Sequence, residues 1–123
     1  MPVITHENAQ RFDVGGTHVI GLAAPSRGAT ETAVWRFTLD PGAASPAHSL
    51  DHEEIVIALD GELRVDLAGE RSLVGAGDAV VIPAGQEVVL SNESSRPFEA
   101  VACLPAGAQA TVDGEVSAPP WAV

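Results

Sequence analysis

The sequence predicts an all-β protein, a sandwich or barrel of short strands, and three observations support this prediction. First, short β-prone runs recur at intervals of roughly eight to twelve residues and are separated by Gly, Pro, Asp or Asn. Second, the chain shows no convincing amphipathic helical period, and the best helical candidate is one turn in THENAQRF. Third, 46% of the 123 residues are apolar, which is enough to bury a core in a single domain spanning residues 1–123.

The predicted strands, in chain order, are HVIGLAA, TAVWRFTL, EIVIAL, ELRVDL, DAVVIP, EVVLS and FEAVACL. Several are apolar at both parities: in EIVIAL, Ile55, Ile57 and Leu59 alternate with Val56 and Ala58. A strand with one solvated face would alternate polar and apolar residues, so we expect these strands to be covered on both faces. A second subunit in a homodimer is the economical cover, and a second sheet of the same chain is the alternative.

After the last of these strands, residues 105–123 are predicted to form a loop-rich C-terminal tail with a turn at Asp-Gly. Two prolines precede Trp121 and restrict its approach to the barrel. We expect Trp121 to pack on the barrel exterior or at a subunit seam; the alternative is that it covers the mouth of a pocket.

The chain is strongly acidic, with seventeen acidic and six basic residues and a net charge of −11. Such a surface repels phosphate backbones, so nucleic acid is not expected as a partner. All six basic residues are arginines, which excludes Schiff-base and P-loop lysine chemistry. We expect Arg36 and Arg64 to face outward and pair with acids, although an arginine at the barrel mouth would suit an anionic ligand. His6 and His18 are expected at the surface.

The sequence also bears on location. No apolar run reaches the roughly 18 residues that a membrane-spanning helix needs. The opening residues MPVITHENAQ contain neither a basic segment nor the apolar stretch of a secretory signal. We therefore expect a cytoplasmic protein that does not insert into a membrane.

Two segments carry glycines together with polar residues or proline at a recognisable spacing. In GAASPAHSLDHEEIVIALDG, Gly42 is followed by five residues and then His48, and Glu54 is followed by six residues and then Gly61. In the second segment, GDAVVIPAGQEVVLSN, Gly77 is followed by five residues and then by Pro83-x-Gly85, and the segment ends on Asn92. The glycines lie where strands must reverse, which favours a positive φ.

These two segments resemble the motifs of the cupins, whose fold is the double-stranded β-helix, a jelly-roll barrel. The first cupin motif is Gly, five residues, His-x-His, three or four residues, Glu, six residues and Gly; it corresponds to residues 42–61. The second is Gly, five residues, Pro-x-Gly, two residues, His, three residues and Asn; it corresponds to residues 77–92. The resemblance implies a small, single-domain bacterial cupin.

Cupins hold a metal with two histidines and a glutamate of the first motif and a histidine of the second. The resemblance assigns these positions to His48, Leu50, Glu54 and Val88, so half of them are apolar here. Catalytic metal sites keep about three protein ligands, so we predict no cofactor. The alternative is a divalent Zn, Fe, Ni or Mn ion held by His48, His52 and Glu54, which share one strand parity. Because cupins usually turn within the segment that corresponds to LDHE, we expect His52 at the rim.

Without a metal, His48 and Glu54 become the predicted catalytic pair. Burial would raise the pKa of the carboxyl group and a nearby imidazolium would lower it, which allows acid–base chemistry near neutral pH. Some metal-free cupins are isomerases and epimerases, so we predict a small-molecule-binding cupin, with isomerase or cyclase chemistry on a small carbonyl-containing metabolite. The sequence does not choose among isomerase, cyclase and decarboxylase. A metal-dependent dioxygenase or isomerase stays open, as does a non-catalytic ligand-binding or sensory module. A further alternative is that His48 and Glu54 only satisfy each other.

Overall fold

A computed structural model describes all 123 residues and shows the predicted all-β architecture. Twelve strands follow one another along the chain. They are β1 (Gln10–Val14), β2 (Thr17–Ala23), β3 (Thr32–Leu39), β4 (Ser49–Leu50), β5 (Glu54–Asp60), β6 (Glu62–Leu67), β7 (Glu70–Gly75), β8 (Ala79–Ile82), β9 (Val88–Ser91), β10 (Phe98–Pro105), β11 (Ala110–Val112) and β12 (Glu115–Ser117). The only helical pieces are three short 3₁₀ turns at His6–Asn8, Pro25–Arg27 and Pro120–Ala122, the first of them within THENAQRF.

The strands form three antiparallel sheets. The largest has the order β1-β2-β3-β10-β5-β8, and two smaller ones have the orders β12-β11-β4 and β7-β6-β9. In the large sheet, the late strand β10 inserts between β3 and β5, which places Ala102 beside both Trp35 and Val56. This pairing of distant segments is the jelly-roll connectivity that closes the barrel.

One face of the large sheet points into the core. Along β3 and β10 buried residues alternate with partly exposed ones, as the period of two requires. Buried side chains of the other sheets complete a single core cluster, among them Leu50 of β4, Leu63 and Val65 of β6 and Leu90 of β9.

The opposite face of the large sheet is not covered by this chain. The side chains of Ile57, Leu59 and Val81 are 38%, 45% and 53% exposed, whereas Val56 is fully buried. Strand β5 therefore has one apolar face in the core and a second apolar face in solvent. No second sheet of the same chain covers the outer face, which was the alternative.

The C-terminal tail contains more regular structure than predicted. Strands β11 and β12 form a hairpin across the predicted Asp-Gly turn, where Asp113 and Gly114 both have positive φ. Strand β11 also pairs with β4. Each strand has only three residues, too few for an alternation of polar and apolar residues to be recognised.

The motif glycines take the conformation that the sequence predicted. Gly42, Gly61 and Gly85 have φ values of +82°, +86° and +79°. At Gly61 a Cβ atom would also lie 2.6 Å from the Pro97 carbonyl oxygen, so this turn accepts only glycine. Strand β8 ends immediately before Pro83, where no ladder donor is needed. No helix has the length and apolar character to span a bilayer.

Candidate functional site

The barrel contains an apolar cavity of about 270 Å³. Eleven of its nineteen lining residues are hydrophobic, which suits an apolar ligand. The lining includes Val19, Trp35, Phe37, Leu39, Leu50 and Leu90 from the strands, and Ser117, Ala118, Pro119, Pro120 and Trp121 from the end of the chain. His48 and Glu54 are the only ionisable side chains in the wall.

The two sequence motifs are joined by backbone hydrogen bonds at this wall. The His48 N–H donates to the Val88 carbonyl at 3.1 Å, and the Val88 N–H donates to the His48 carbonyl at 2.8 Å. Nearby, the Gly85 N–H donates to the Leu50 carbonyl at 2.7 Å. Three of the four positions that correspond to cupin metal ligands therefore lie on adjacent, hydrogen-bonded backbone, as the motif spacing implies.

Glu54 is a buried carboxylic acid without a polar partner. It opens β5 opposite Ile82, only 6% of its surface is exposed, and no hydrogen bond or ion pair reaches its carboxyl group. Burial alone raises the pKa of this carboxyl group from 4.5 to about 7. The other buried polar residue, Asn92, differs because its amide nitrogen donates to the Leu39 and Arg96 carbonyls. The protein thus places one acid without a protein partner in an apolar cavity.

His48 lies in the same cavity wall but is not paired with Glu54. Its Nδ1 is 2.8 Å from the Pro46 carbonyl oxygen, which can only accept, so Nδ1 carries the proton. In the neutral ring Nε2 is therefore the nitrogen with the lone pair. Because its ring is held by Pro46 and no hydrogen bond joins it to Glu54, the structure does not show the mutually satisfied pair that was one alternative.

His52 lies outside the cavity, at the rim. Its side chain is 51% exposed, and its Nδ1 is 2.8 Å from Asp51 Oδ1. The same Asp51 oxygen accepts from the Gln109 backbone N–H at 2.7 Å. The chain is not a strand between Leu50 and Glu54, so the shared parity that would have pointed His52 inward is broken there.

The residues present do not fit a divalent metal ion. Leu50 and Val88 are buried at 4% and 1% exposure in the positions where the cupin pattern has histidines, and neither offers a donor atom. No group of three or more His, Cys, Asp or Glu side chains is arranged to hold a metal. His48 and Glu54 alone are fewer donors than the three protein ligands typical of a catalytic site.

Trp121 lines the cavity, which corrects the prediction that it packs on the barrel exterior. Its ring centroid lies 6.2 Å from that of Trp35 and 6.0 Å from that of Phe12. Trp35 and Phe37 are buried and line the cavity too. The sequence signal that could have placed Trp121 in the cavity is weak. It consists of two prolines that follow a short hairpin and direct the chain back towards the barrel.

The arginines of the chain lie outside the cavity. Arg36 forms an ion pair with Glu99 on the outer face of the large sheet, and Arg64 Nε lies 2.9 Å from Asp66 Oδ2. None of the six arginines lines the cavity. The prediction that Arg36 and Arg64 face outward agrees with these contacts.

This motif frame, closed into an antiparallel barrel around a central cavity, is that of the cupins. Residues 35–104 match the family model for the cupin domain, and the chain belongs to that family. No curated protein sequence matches this chain.

Solved structures agree on the fold. The polyketide cyclase RemF from Streptomyces resistomycificus superposes with a TM-score of 0.81 at 19% identity, over 98% of this chain and 90% of that one. A cupin-superfamily sugar phosphate isomerase from Silicibacter pomeroyi gives 0.70 at 21% identity, over 81% and 67%. A predicted oxalate decarboxylase from Thermotoga maritima gives 0.71 at 20% identity, over 85% and 98%. At these identities the likeness concerns the fold, on which functions vary.

Proposed function

We propose that this cupin binds a small, neutral, largely apolar carbonyl compound and catalyses an isomerisation or cyclisation of it by general acid–base chemistry, without a metal. The observation that supports this function best is Glu54, an unpaired carboxylic acid buried in the apolar cavity wall with a pKa near 7. At neutral pH a large fraction of this group keeps its proton and can donate it, which ordinary surface carboxylates cannot do.

The second group is His48, whose ring can accept a proton while Glu54 donates one. With Nδ1–H held by the Pro46 carbonyl, Nε2 of the neutral ring is the acceptor. In the proposed step His48 takes the proton on the carbon next to the ligand carbonyl, and Glu54 gives its proton to the carbonyl oxygen. The product is an enol, an imidazolium and a carboxylate. Returning a proton to a different carbon gives an isomer, and attack of the enol carbon on a second carbonyl closes a ring.

The charge of the cavity supports a neutral ligand. Oxalate and sugar phosphates are anions, which proteins usually hold with arginine or lysine, and no arginine lines this cavity in a chain of net charge −11. A carboxylate ligand would also meet Glu54, whose ionised form repels it. The fold similarity to a polyketide cyclase over nearly the full length of both chains supports the cyclase form of the proposal over the decarboxylase form.

The experiment is deuterium exchange at the carbon α to the carbonyl of 2-tetralone, a neutral bicyclic ketone, followed by NMR in D₂O. The wild-type protein is expected to accelerate exchange, and Glu54→Gln is expected to slow the catalysed rate about 10²-fold or more, since Gln cannot transfer a proton. The rate should fall as the pH rises through about 7, because the protonated form of Glu54 is the active one.

Matched controls are adjacent in the chain. Glu53→Gln removes an exposed carboxylate and His52→Gln an exposed imidazole, and both variants should exchange at the wild-type rate. His48→Gln should be slowed like Glu54→Gln. Equal rates for Glu54→Gln and Glu53→Gln would contradict the proposal, and binding of the ketone without any catalysed exchange would favour the non-catalytic binding module instead.

We also propose that the chain forms a homodimer through the outer face of the large sheet. Next to β5 this face is apolar and uncharged, with Ile55, Ile57, Val81, Val101 and Cys103 at facing positions of neighbouring strands. Towards β1 the same face mixes cationic Arg11 and Arg36 with anionic Asp13 and Glu99. Two copies of an otherwise strongly acidic chain can therefore meet here without opposing like charges.

Light scattering after size exclusion tests the dimer. The wild type should have twice the 12.6 kDa chain mass. Ile57→Asp should shift the equilibrium to monomer, because a carboxylate in the contact would be desolvated without a partner. The matched control is Leu73→Asp, on a 65% exposed leucine of β7 in another sheet, which should leave the mass unchanged. A monomeric wild type would contradict the proposal.

A further inference from the structure

One wall of the cavity is made by a short segment at the end of the described chain. Five consecutive residues, Ser117 to Trp121, line the cavity. The first of them, Ser117, is the last residue of β12, a strand whose three residues are all exposed and which pairs only with β11 at the edge of its sheet. This wall therefore lacks the two-sided hydrogen bonding that fixes a central strand such as β3 or β10.

Few polar contacts hold this segment against the barrel. The Ser26 hydroxyl donates to the Val123 carbonyl at 2.6 Å and the Ser26 N–H donates to the same oxygen at 3.3 Å. Within the segment the Ala122 N–H donates to the Pro119 carbonyl at 2.9 Å. No salt bridge involves residues 117–123. The remaining attachment is packing, of the Trp121 ring against Phe12 and Trp35 and of Ala122 in the core cluster.

The Trp121 indole carries an unsatisfied donor. Its Nε1 is sealed from solvent and has no hydrogen-bond partner. Buried indole N–H groups usually find an acceptor, and leaving one unpaired costs free energy in the closed arrangement. Trp121 itself lines the cavity, so displacement of its segment would expose this donor to a molecule that enters the cavity.

We propose that Trp121 is a ligand-recognition residue on a movable wall formed by residues 117–123, and that its indole N–H donates to an oxygen of the bound ligand once entry displaces the wall. The inference rests on the proposed function, in which the cavity binds a neutral carbonyl compound. A carbonyl oxygen has two lone pairs, so it can accept one hydrogen bond from neutral Glu54 and a second one from Trp121. In a ligand with a second oxygen, that oxygen can accept from Trp121 instead. The pair of donors would select oxygen-bearing ligands over hydrocarbons of the same shape.

The experiment compares 2-tetralone with tetralin, the matching hydrocarbon without the carbonyl group. Titrations are followed on the ¹⁵N-labelled protein, whose two indole signals are assigned with Trp121→Phe. In the wild type the Trp121 indole proton should move downfield with 2-tetralone and not with tetralin. Trp121→Phe should weaken 2-tetralone binding about tenfold, the value of one neutral hydrogen bond, and tetralin binding less than twofold.

The outcomes separate this inference from the proposed function. If 2-tetralone binds the wild type without a downfield shift of the Trp121 signal, or if Trp121→Phe weakens both ligands equally, Trp121 serves only as packing and the inference is wrong while the cavity proposal stands. If neither compound binds the wild type, the proposed function itself is contradicted. The chemical-shift change of the indole proton is measured in the wild type, so this test remains valid even if the variant folds poorly.

A second variant tests the movement. Ser26→Ala removes the hydroxyl that holds the Val123 carbonyl and lies outside the cavity lining. It should speed both association and dissociation of 2-tetralone several-fold in stopped-flow measurements, because opening of the wall precedes entry. Unchanged rates would contradict a movable wall.

Discussion

Glu54 and Asp51 are carboxylic acids on the same short segment, and the fold shifts their pKa values in opposite directions. At the rim, Asp51 accepts from the Gln109 backbone N–H and lies beside the His52 ring, and these contacts lower the pKa of its carboxyl group. In the cavity, Glu54 has no partner, and burial raises its pKa to about 7. The rim acid is therefore ionised at neutral pH, whereas the cavity acid retains its proton in a large fraction of molecules.

The difference arises from the turn between β4 and β5. Because the strand is interrupted there, His52 stays beside Asp51 at the rim and cannot stabilise the Glu54 carboxylate. The positions from which another partner could come carry Leu50 and Val88. The pKa of the Glu54 carboxyl group is thus raised because polar partners are absent, and no added charged neighbour is needed to make it a proton donor.

The largest expected effect is that of the Glu54 carboxyl group on the free energy of unfolding and its pH dependence. Between pH 4.5 and about 7 the unfolded chain releases this proton while the folded chain keeps it, so the group lowers stability as the pH rises. The full loss above pH 7 is about 3 kcal/mol. In denaturant unfolding, Glu54→Gln should therefore gain about 3 kcal/mol relative to the wild type between roughly pH 4 and pH 8.

Glu53→Gln provides the control for that comparison, since Glu53 is exposed and next in the chain. Its stability difference from the wild type should stay constant over the same pH range. A constant difference for Glu54→Gln as well would mean that the Glu54 carboxyl group is solvated or paired in solution.

A smaller effect of opposite sign is expected for Asp51. Its lowered pKa contributes stability above the ordinary value of 3.8, and this stability is lost as the pH falls through the lowered pKa. Asp51→Asn should be slightly less stable than the wild type at neutral pH, and the difference should vanish in acid. Thermal unfolding at pH 7 and near pH 3 measures it; a variant more stable than the wild type at pH 7 would contradict the assigned contacts.

Most of the fold could be predicted from the sequence because the determining signals are local. TAVWRFTL and ELRVDL coincide with β3 and β6, and Gly42 and Gly61 have the positive φ that their turns require. Strands β1, β4, β7, β11 and β12 were not predicted. They are short or largely exposed and therefore carry little apolar alternation.

The site was only partly predictable, because its chemistry depends on contacts between distant segments. The spacing of the motifs identified His48 and Glu54, and the structure places both in the cavity wall. The hydrogen bond that fixes the His48 ring goes to the Pro46 backbone, which no side-chain pattern reveals. Trp121 joins the cavity only because its segment folds back onto β2 and β3, a contact across most of the chain length.

The most direct test of this account is an NMR titration of the Glu54 side-chain carboxyl carbon in ¹³C-glutamate-labelled protein, with Glu54→Gln used to assign the signal. We predict a midpoint near pH 7. A midpoint near the ordinary value of 4.5 would show an ionised Glu54 at neutral pH and would contradict its role as the proton donor.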